Sequence, residues 1–196
     1  MKYKNIIFDF GNVIGKFDGR YIMQQFSKSD EDCRLLCSVI YKKWSELDKG
    51  AIEYDDYIDE CLSSLPNRLA DQVRAFFKDW PEYITPREDT LRFIDELVKR
   101  KIPIYLLSNA PAYFARRAAS YEILKKFSGI VFSGPLKTAK PDPAIYRYLF
   151  QSYSLRPEEC FFIDDLQKNI EAGRSLGMDG IVFTGNIDEI KKAVGF

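Results

Sequence analysis

Five short apolar runs recur along this chain, at residues 6–8, 102–107, 129–132, 160–163 and 181–183. Runs of this length and purity are expected of strands buried on both faces of a parallel sheet. Helix-period stretches follow the last four of them, and that alternation predicts an α/β fold built on a doubly wound parallel sheet, Rossmann-like in layout. One segment breaks the rhythm. From 16 to 84 the apolar residues fall at helical spacing only: Leu36, Ile40 and Trp44; Tyr54, Tyr57, Ile58, Cys61, Leu62 and Leu65; Leu69, Val73, Phe76, Phe77 and Trp80. The spacing predicts three or four amphipathic helices with turns at Lys49-Gly50 and Pro66-Asn67, packed together through their aromatic stripes. Such a block has no place in the sheet, so it is expected to cap the strand ends. Residues 1–15 and 85–196 then form the α/β core, and 16–84 the cap. At the far border, Thr85-Pro86-Arg87-Glu88 reads as a helix start with N-cap, proline and capping-box glutamate. The helix it opens is expected to turn Leu91, Ile94, Leu97 and Val98 inward.

Composition narrows the chemistry. Hydrophobic residues make up 46% of the 196, ample for a packed core. Acidic and basic residues balance at 29 each without long runs of one sign, so neither a nucleic-acid nor a membrane partner is expected. No signal-peptide or membrane-spanning pattern is present in the sequence, and a cytoplasmic setting is expected. Cys33, Cys37, Cys61 and Cys160 lack paired metal spacing and are expected to be reduced, mostly buried thiols. The chain has no histidine, so acid–base work falls to carboxylates, Lys, Tyr, Cys or water.

Four polar signals stand directly after strands or at helix starts: Asp9, Ser108, Lys140 and the pair Asp164-Asp165. The C-terminal ends of parallel strands share one edge, so these groups can converge there. Each has an ordinary alternative. Asp9 can simply end a strand before the Gly11-Asn12 turn, Ser108 can cap a helix, and Lys140 can be a solvated loop charge. The acidic pair is harder to explain without a cation, because adjacent carboxylates repel. Together they suit phosphoryl transfer. Asp9 would attack phosphorus, Mg²⁺ would sit between Asp9 and the acidic pair, Ser108 and nearby backbone N–H groups would hold phosphate oxygens, and Lys140 would stabilise the transferring group.

The sequence closely resembles the haloacid dehalogenase superfamily of phosphatases through four motifs in that family's order. They are Ile-Ile-Phe-Asp9-Phe-Gly-Asn-Val-Ile, Leu-Leu-Ser108-Asn, Lys140-Pro-Asp-Pro-Ala-Ile-Tyr, and Phe-Phe-Ile-Asp164-Asp165 followed by Asn169. The inserted helices resemble the family's small α-helical cap. The resemblance implies a Mg²⁺-dependent phosphatase of small phosphorylated metabolites, with Asp9 as nucleophile and metal ligand. It implies Asp165 as a direct metal ligand, Asp164 beside it or acting through water, and Gly11 contributing its carbonyl. Phosphate binding falls by the same resemblance to Ser108, Asn109, Lys140 and Gly11. The opening motif is similar to a bacterial subgroup of sugar-phosphate phosphatases, one acting on glucose 1-phosphate.

One departure stands out. The family usually carries a second aspartate two residues after the nucleophile, and this chain has Gly11. A side chain that protonates the leaving group is thereby missing, a function worth about 10²–10⁴ in rate. Two other readings stay open: a weakened relative that binds a phosphorylated ligand or partner, and a metal-free dehalogenase. A two-component receiver domain would place its acidic pair after the first strand rather than the fourth, and the kinase-like Asp9-Phe10-Gly11 triplet has no companion motifs. Lys16, Asp18 and Arg20, at the entry to the cap, are candidates for setting specificity, as is Trp44. The sequence carries no signal for oligomeric state.

Overall fold

The computed structural model describes residues 1–196. The chain opens with β1 (Asn5–Phe8), a two-residue strand β2 (Gly15–Lys16), and then the helices α1 (Gly19–Gln24), α2 (Asp30–Ile40), α3 (Trp44–Lys49), α4 (Tyr54–Ser64) and α5 (Ala70–Asp79). A second two-residue strand, β3 (Thr85–Pro86), leads into α6 (Glu88–Lys99), β4 (Ile104–Ser108), α7 (Ala112–Arg117) and β5 (Gly129–Phe132). The remainder is α8 (Ser133–Leu136), α9 (Pro143–Ser152), β6 (Cys160–Asp164), α10 (Gln167–Ser175), β7 (Asp179–Val182) and α11 (Ile187–Val194).

The five apolar runs form one parallel sheet in the order β5-β4-β1-β6-β7. β1 is central because its residues are buried on both faces. Ile6 and Phe8 enter a large apolar cluster that continues into the helical segment, while Ile7 joins Tyr105, Leu107, Tyr146 and Phe162 on the opposite face. That period-two alternation is what a pleated strand imposes. With β4 on one side and β6 on the other, the crevice at the C-terminal end of β1 is the place where such sheets receive ligands.

The helical segment departs from expectation in detail. It holds five α-helices, because Tyr41–Lys43 interrupts the Leu36-Ile40-Trp44 register and starts α3 afresh at Trp44. Thr85-Pro86 is an edge strand paired antiparallel with Gly15-Lys16, not a helix cap, and α6 begins without a side-chain cap at Arg87. Within α6, Phe93, Ile94 and Leu97 are buried, Leu91 is half-buried and Val98 faces outward. No disulfide forms; Cys33, Cys61 and Cys160 are buried and Cys37 half-buried. No helix is long and apolar enough to cross a membrane.

Candidate active site

The sheet delivers its polar residues to one place. Asp9 follows β1 directly, its N–H continuing the ladder onto Ile163 O at 2.9 Å. Ser108 is the last residue of β4 and Asp164 the last of β6. Lys140 arrives from the loop between α8 and α9, and Asn109 holds that loop. Its side-chain Nδ2 donates to Lys140 O (2.9 Å), and its Oδ1 accepts from Lys140 N (2.8 Å). The Asn109 amide is therefore occupied by main chain, and any phosphate contact of this residue falls to its backbone N–H.

Lys140 is buried, with its Nζ 2.8 Å from Asp9 Oδ1 and 2.6 Å from Asp164 Oδ2. Burial alone would lower the ammonium's pKa, but the two carboxylates outweigh it and raise it, so the group stays charged. Asp164 is fully buried and saturated: Lys140, Asn169 Nδ2 and the Leu166 N–H all donate to it. Asp9 Oδ1 also accepts from the Phe10 N–H at 2.7 Å, which leaves Oδ2 without a protein partner. Burial pushes the Asp9 carboxyl up to about 7; Lys140 pulls it down and Asp164 pushes it further up.

Carboxylate oxygens of Asp9, Asp164 and Asp165 lie within 4.8 Å of one another. A single buried lysine does not neutralise three carboxylates, and an all-oxygen donor set of this kind suits a hard divalent cation. Asp165 is the one best placed to bind directly, since it lines the cavity and only its Oδ2 is engaged, by Asn12 Nδ2 at 2.9 Å. Asn12 itself stands at φ 57°, a left-handed conformation that asparagine tolerates, and its Oδ1 accepts from the Phe17 N–H. Asn12 thus ties the first motif to the fourth. Sequence reasoning gave it no such role, although its place in the Gly11-Asn12 turn was a usable signal.

A cavity of about 360 Å³ opens over this floor. Asp9, Gly11, Ser108, Lys140 and Asp165 line its base, and Phe17, Trp44, Trp80 and Phe114 supply aromatic walls. Of the four specificity candidates, Trp44 lines this cavity. Lys16, Asp18 and Arg20 do not line it. The Asp18 side chain caps α1 and sits 3.6 Å from Lys16, and Arg20 points to Asp30. Asp48, on α3, lines the cavity as well and escaped sequence reasoning, being one acid among several on a helical stretch. The helical segment is held down beside it. The Ser133 hydroxyl donates to Asp48 O, Gly50 packs against Gly134, and Tyr54 stacks on Tyr113 at 4.4 Å.

Many solved structures share this fold. The chain is 26% identical to a sesquiterpene phosphatase of Aspergillus oryzae, across 98% of this chain and 97% of that protein. It is 28% identical to a D-ribitol-5-phosphate phosphatase of Bacteroides thetaiotaomicron, across 90% and 89%. Among solved structures, a haloacid dehalogenase family enzyme of B. thetaiotaomicron in complex with magnesium and inorganic phosphate superposes with a TM-score of 0.72. That match covers 94% of this chain and 96% of the other at 22% identity, a likeness of fold. Residues 3–177, nearly the whole of the sheet and everything inserted in it, match the haloacid dehalogenase-like hydrolases, and the chain belongs to that family.

Proposed function

We propose that the protein is a magnesium-dependent phosphatase of small phosphorylated metabolites, acting through an aspartyl phosphate on Asp9. One observation carries this reading: a buried lysine bridges the candidate nucleophile and the acidic pair at the sheet's C-terminal edge. Asp9 Oδ2, the oxygen without a protein partner, attacks phosphorus as the bond from phosphorus to the alcohol oxygen breaks. Lys140 spends two of its three N–H donors on carboxylates, so the third can meet a phosphoryl oxygen. The Ser108 hydroxyl and the backbone N–H groups of Gly11 and Asn109 supply further donors around the same oxygens. Water then displaces phosphate from Asp9 and restores the carboxylate. Asp9, Asp165 and the Gly11 carbonyl would hold Mg²⁺, with Asp164 behind, and the bound ion would offset the repulsion between carboxylates and phosphate.

Sugar and polyol phosphates are the favoured substrates, by the opening motif and by the ribitol-phosphate relative. The aromatic wall of Phe17, Trp44, Trp80 and Phe114 supports a second class, phosphate esters of apolar alcohols, and one relative is named for a sesquiterpene substrate. Phosphate release from nitrophenyl phosphate, a sugar-phosphate panel and a prenyl phosphate, each with Mg²⁺ and with chelator, tests the reading. Release is expected to require Mg²⁺ and to vanish in Asp9→Asn. Turnover that ignores the chelator would sink the metal assignment and favour a metal-free hydrolase. A silent parent chain that still binds phosphate would favour a binding protein.

A further inference from the structure

Departure of an ordinary alkoxide needs a proton, and the residue that stands where a donor is usual is Gly11, without a side chain. Neither Lys140 nor Ser108 fills the gap well. Lys140 is committed to two carboxylates, and a serine hydroxyl is a poor acid. The helical segment places one carboxyl group in the same cavity, that of Asp48. Its main-chain carbonyl is anchored by Ser133, which fixes this end of α3 over the site. Its side chain, by contrast, has no hydrogen bond or ion pair within the protein. A carboxyl group facing a ligand cavity with no structural partner is free to serve the ligand.

We propose that Asp48 is the general acid–base residue of this phosphatase, supplied from the helical segment in place of the side chain absent at Gly11. The inference rests on the phosphatase reading. In the first step Asp9 Oδ2 bonds to phosphorus, the ester bond breaks, and the proton of the Asp48 carboxyl passes to the departing oxygen, releasing the alcohol. In the second, the Asp48 carboxylate takes a proton from water as that water's oxygen attacks the phosphorus of the aspartyl phosphate. Phosphate leaves, and Asp9 and protonated Asp48 are regenerated. Burial, reinforced by the charge of Asp9 and opposed by Lys140, holds the Asp48 carboxyl well above its ordinary value, as a proton donor requires.

The test compares the parent, Asp48→Asn and the double variant Asp48→Asn/Gly11→Asp on nitrophenyl phosphate and on the best alkyl phosphate of the panel. Gly11 has room for the added side chain, since a Cβ there meets nothing within 4 Å. In Asp48→Asn, kcat/KM for the alkyl phosphate is expected to fall about 10²-fold or more, while that for nitrophenyl phosphate changes little, because nitrophenolate leaves without a proton. Loss of the base for the second step should also produce a burst of nitrophenolate followed by slow turnover. The double variant should recover alkyl-phosphate hydrolysis. Equal losses on both substrates, no loss on either, or a parent that hydrolyses only nitrophenyl phosphate would each overturn the role of Asp48 and leave the phosphatase standing. A parent inactive on both substrates in Mg²⁺ overturns the phosphatase reading itself. An unchanged melting temperature in Asp48→Asn separates lost chemistry from lost folding, as expected for a side chain without partners.

Discussion

Asp9 is held in a state that costs the folded protein something, and its titration exposes that cost. Its ordinary value of 3.8 rises to about 7 on folding, burial being the main cause. Between those limits the folded chain binds a proton that the unfolded chain has released. The contribution is fully present below about pH 4 and is lost as pH rises through about 7. In chelator, the melting temperature of the parent is therefore expected to fall relative to Asp9→Asn across that window. Parallel curves for the two proteins would show that Asp9 is not buried in this way. Asp9, Lys140, Asp164 and Asp165 were legible as candidates because each follows an apolar run or opens a helix at a telling place. Asn12 and Asp48 were not. Asn12 acts through a left-handed backbone and a contact 153 residues away, and Asp48 through the way one helix lies over another element. Neither is a property of local pattern.

At the scale of elements, the five strands of the sheet and the longer helices between them were readable from their apolar runs and helical spacing, whereas the four-residue α8 was not. The two-residue strands β2 and β3 were not, for a pair of residues carries no period and Thr85-Pro86-Arg87-Glu88 imitates a helix start. The break at Tyr41–Lys43 was likewise hidden, since Leu36, Ile40 and Trp44 keep helical spacing across it. The placement of α3 depends on a close approach of backbones. Gly50 closes the helix at φ 71°, and a Cβ there would lie 2.2 Å from Gly134 O. Gly50→Ala is expected to destabilise the protein by about 1–3 kcal/mol, through the left-handed strain and the forced separation from Gly134. A denaturant midpoint equal to the parent's would mean that α3 does not sit this close to α8.

Over the whole molecule, the largest apolar cluster runs without interruption from β1 into α2, α4 and α5, so the helical segment and the sheet share one core. A cation bound at its edge should stabilise the entire fold, since only the folded chain assembles the three carboxylates. Mg²⁺ at about 100 times its dissociation constant is expected to add about 2.7 kcal/mol. The rise in melting temperature should disappear in Asp165→Asn. A rise retained in that variant would place the cation elsewhere. The α/β class and parallel sheet were legible in the alternation of runs, whereas the spatial order of strands was not, because order is decided by which faces pack rather than by any one run.

The helical segment departs at Gly15-Lys16 and returns at Thr85-Pro86, and these two points are paired side by side in a two-stranded ribbon of their own. A segment whose ends are neighbours can be lengthened, shortened or exchanged while the distance its ends must span stays the same, and loop-closure cost grows only slowly with length. The doorway thus lets what covers the cavity change by swapping what lies between those points, with Asp9, Lys140 and the acidic pair left in place beneath it. Asp48 lies on the exchangeable side. A lineage that trades this segment for another would have to find its proton donor again.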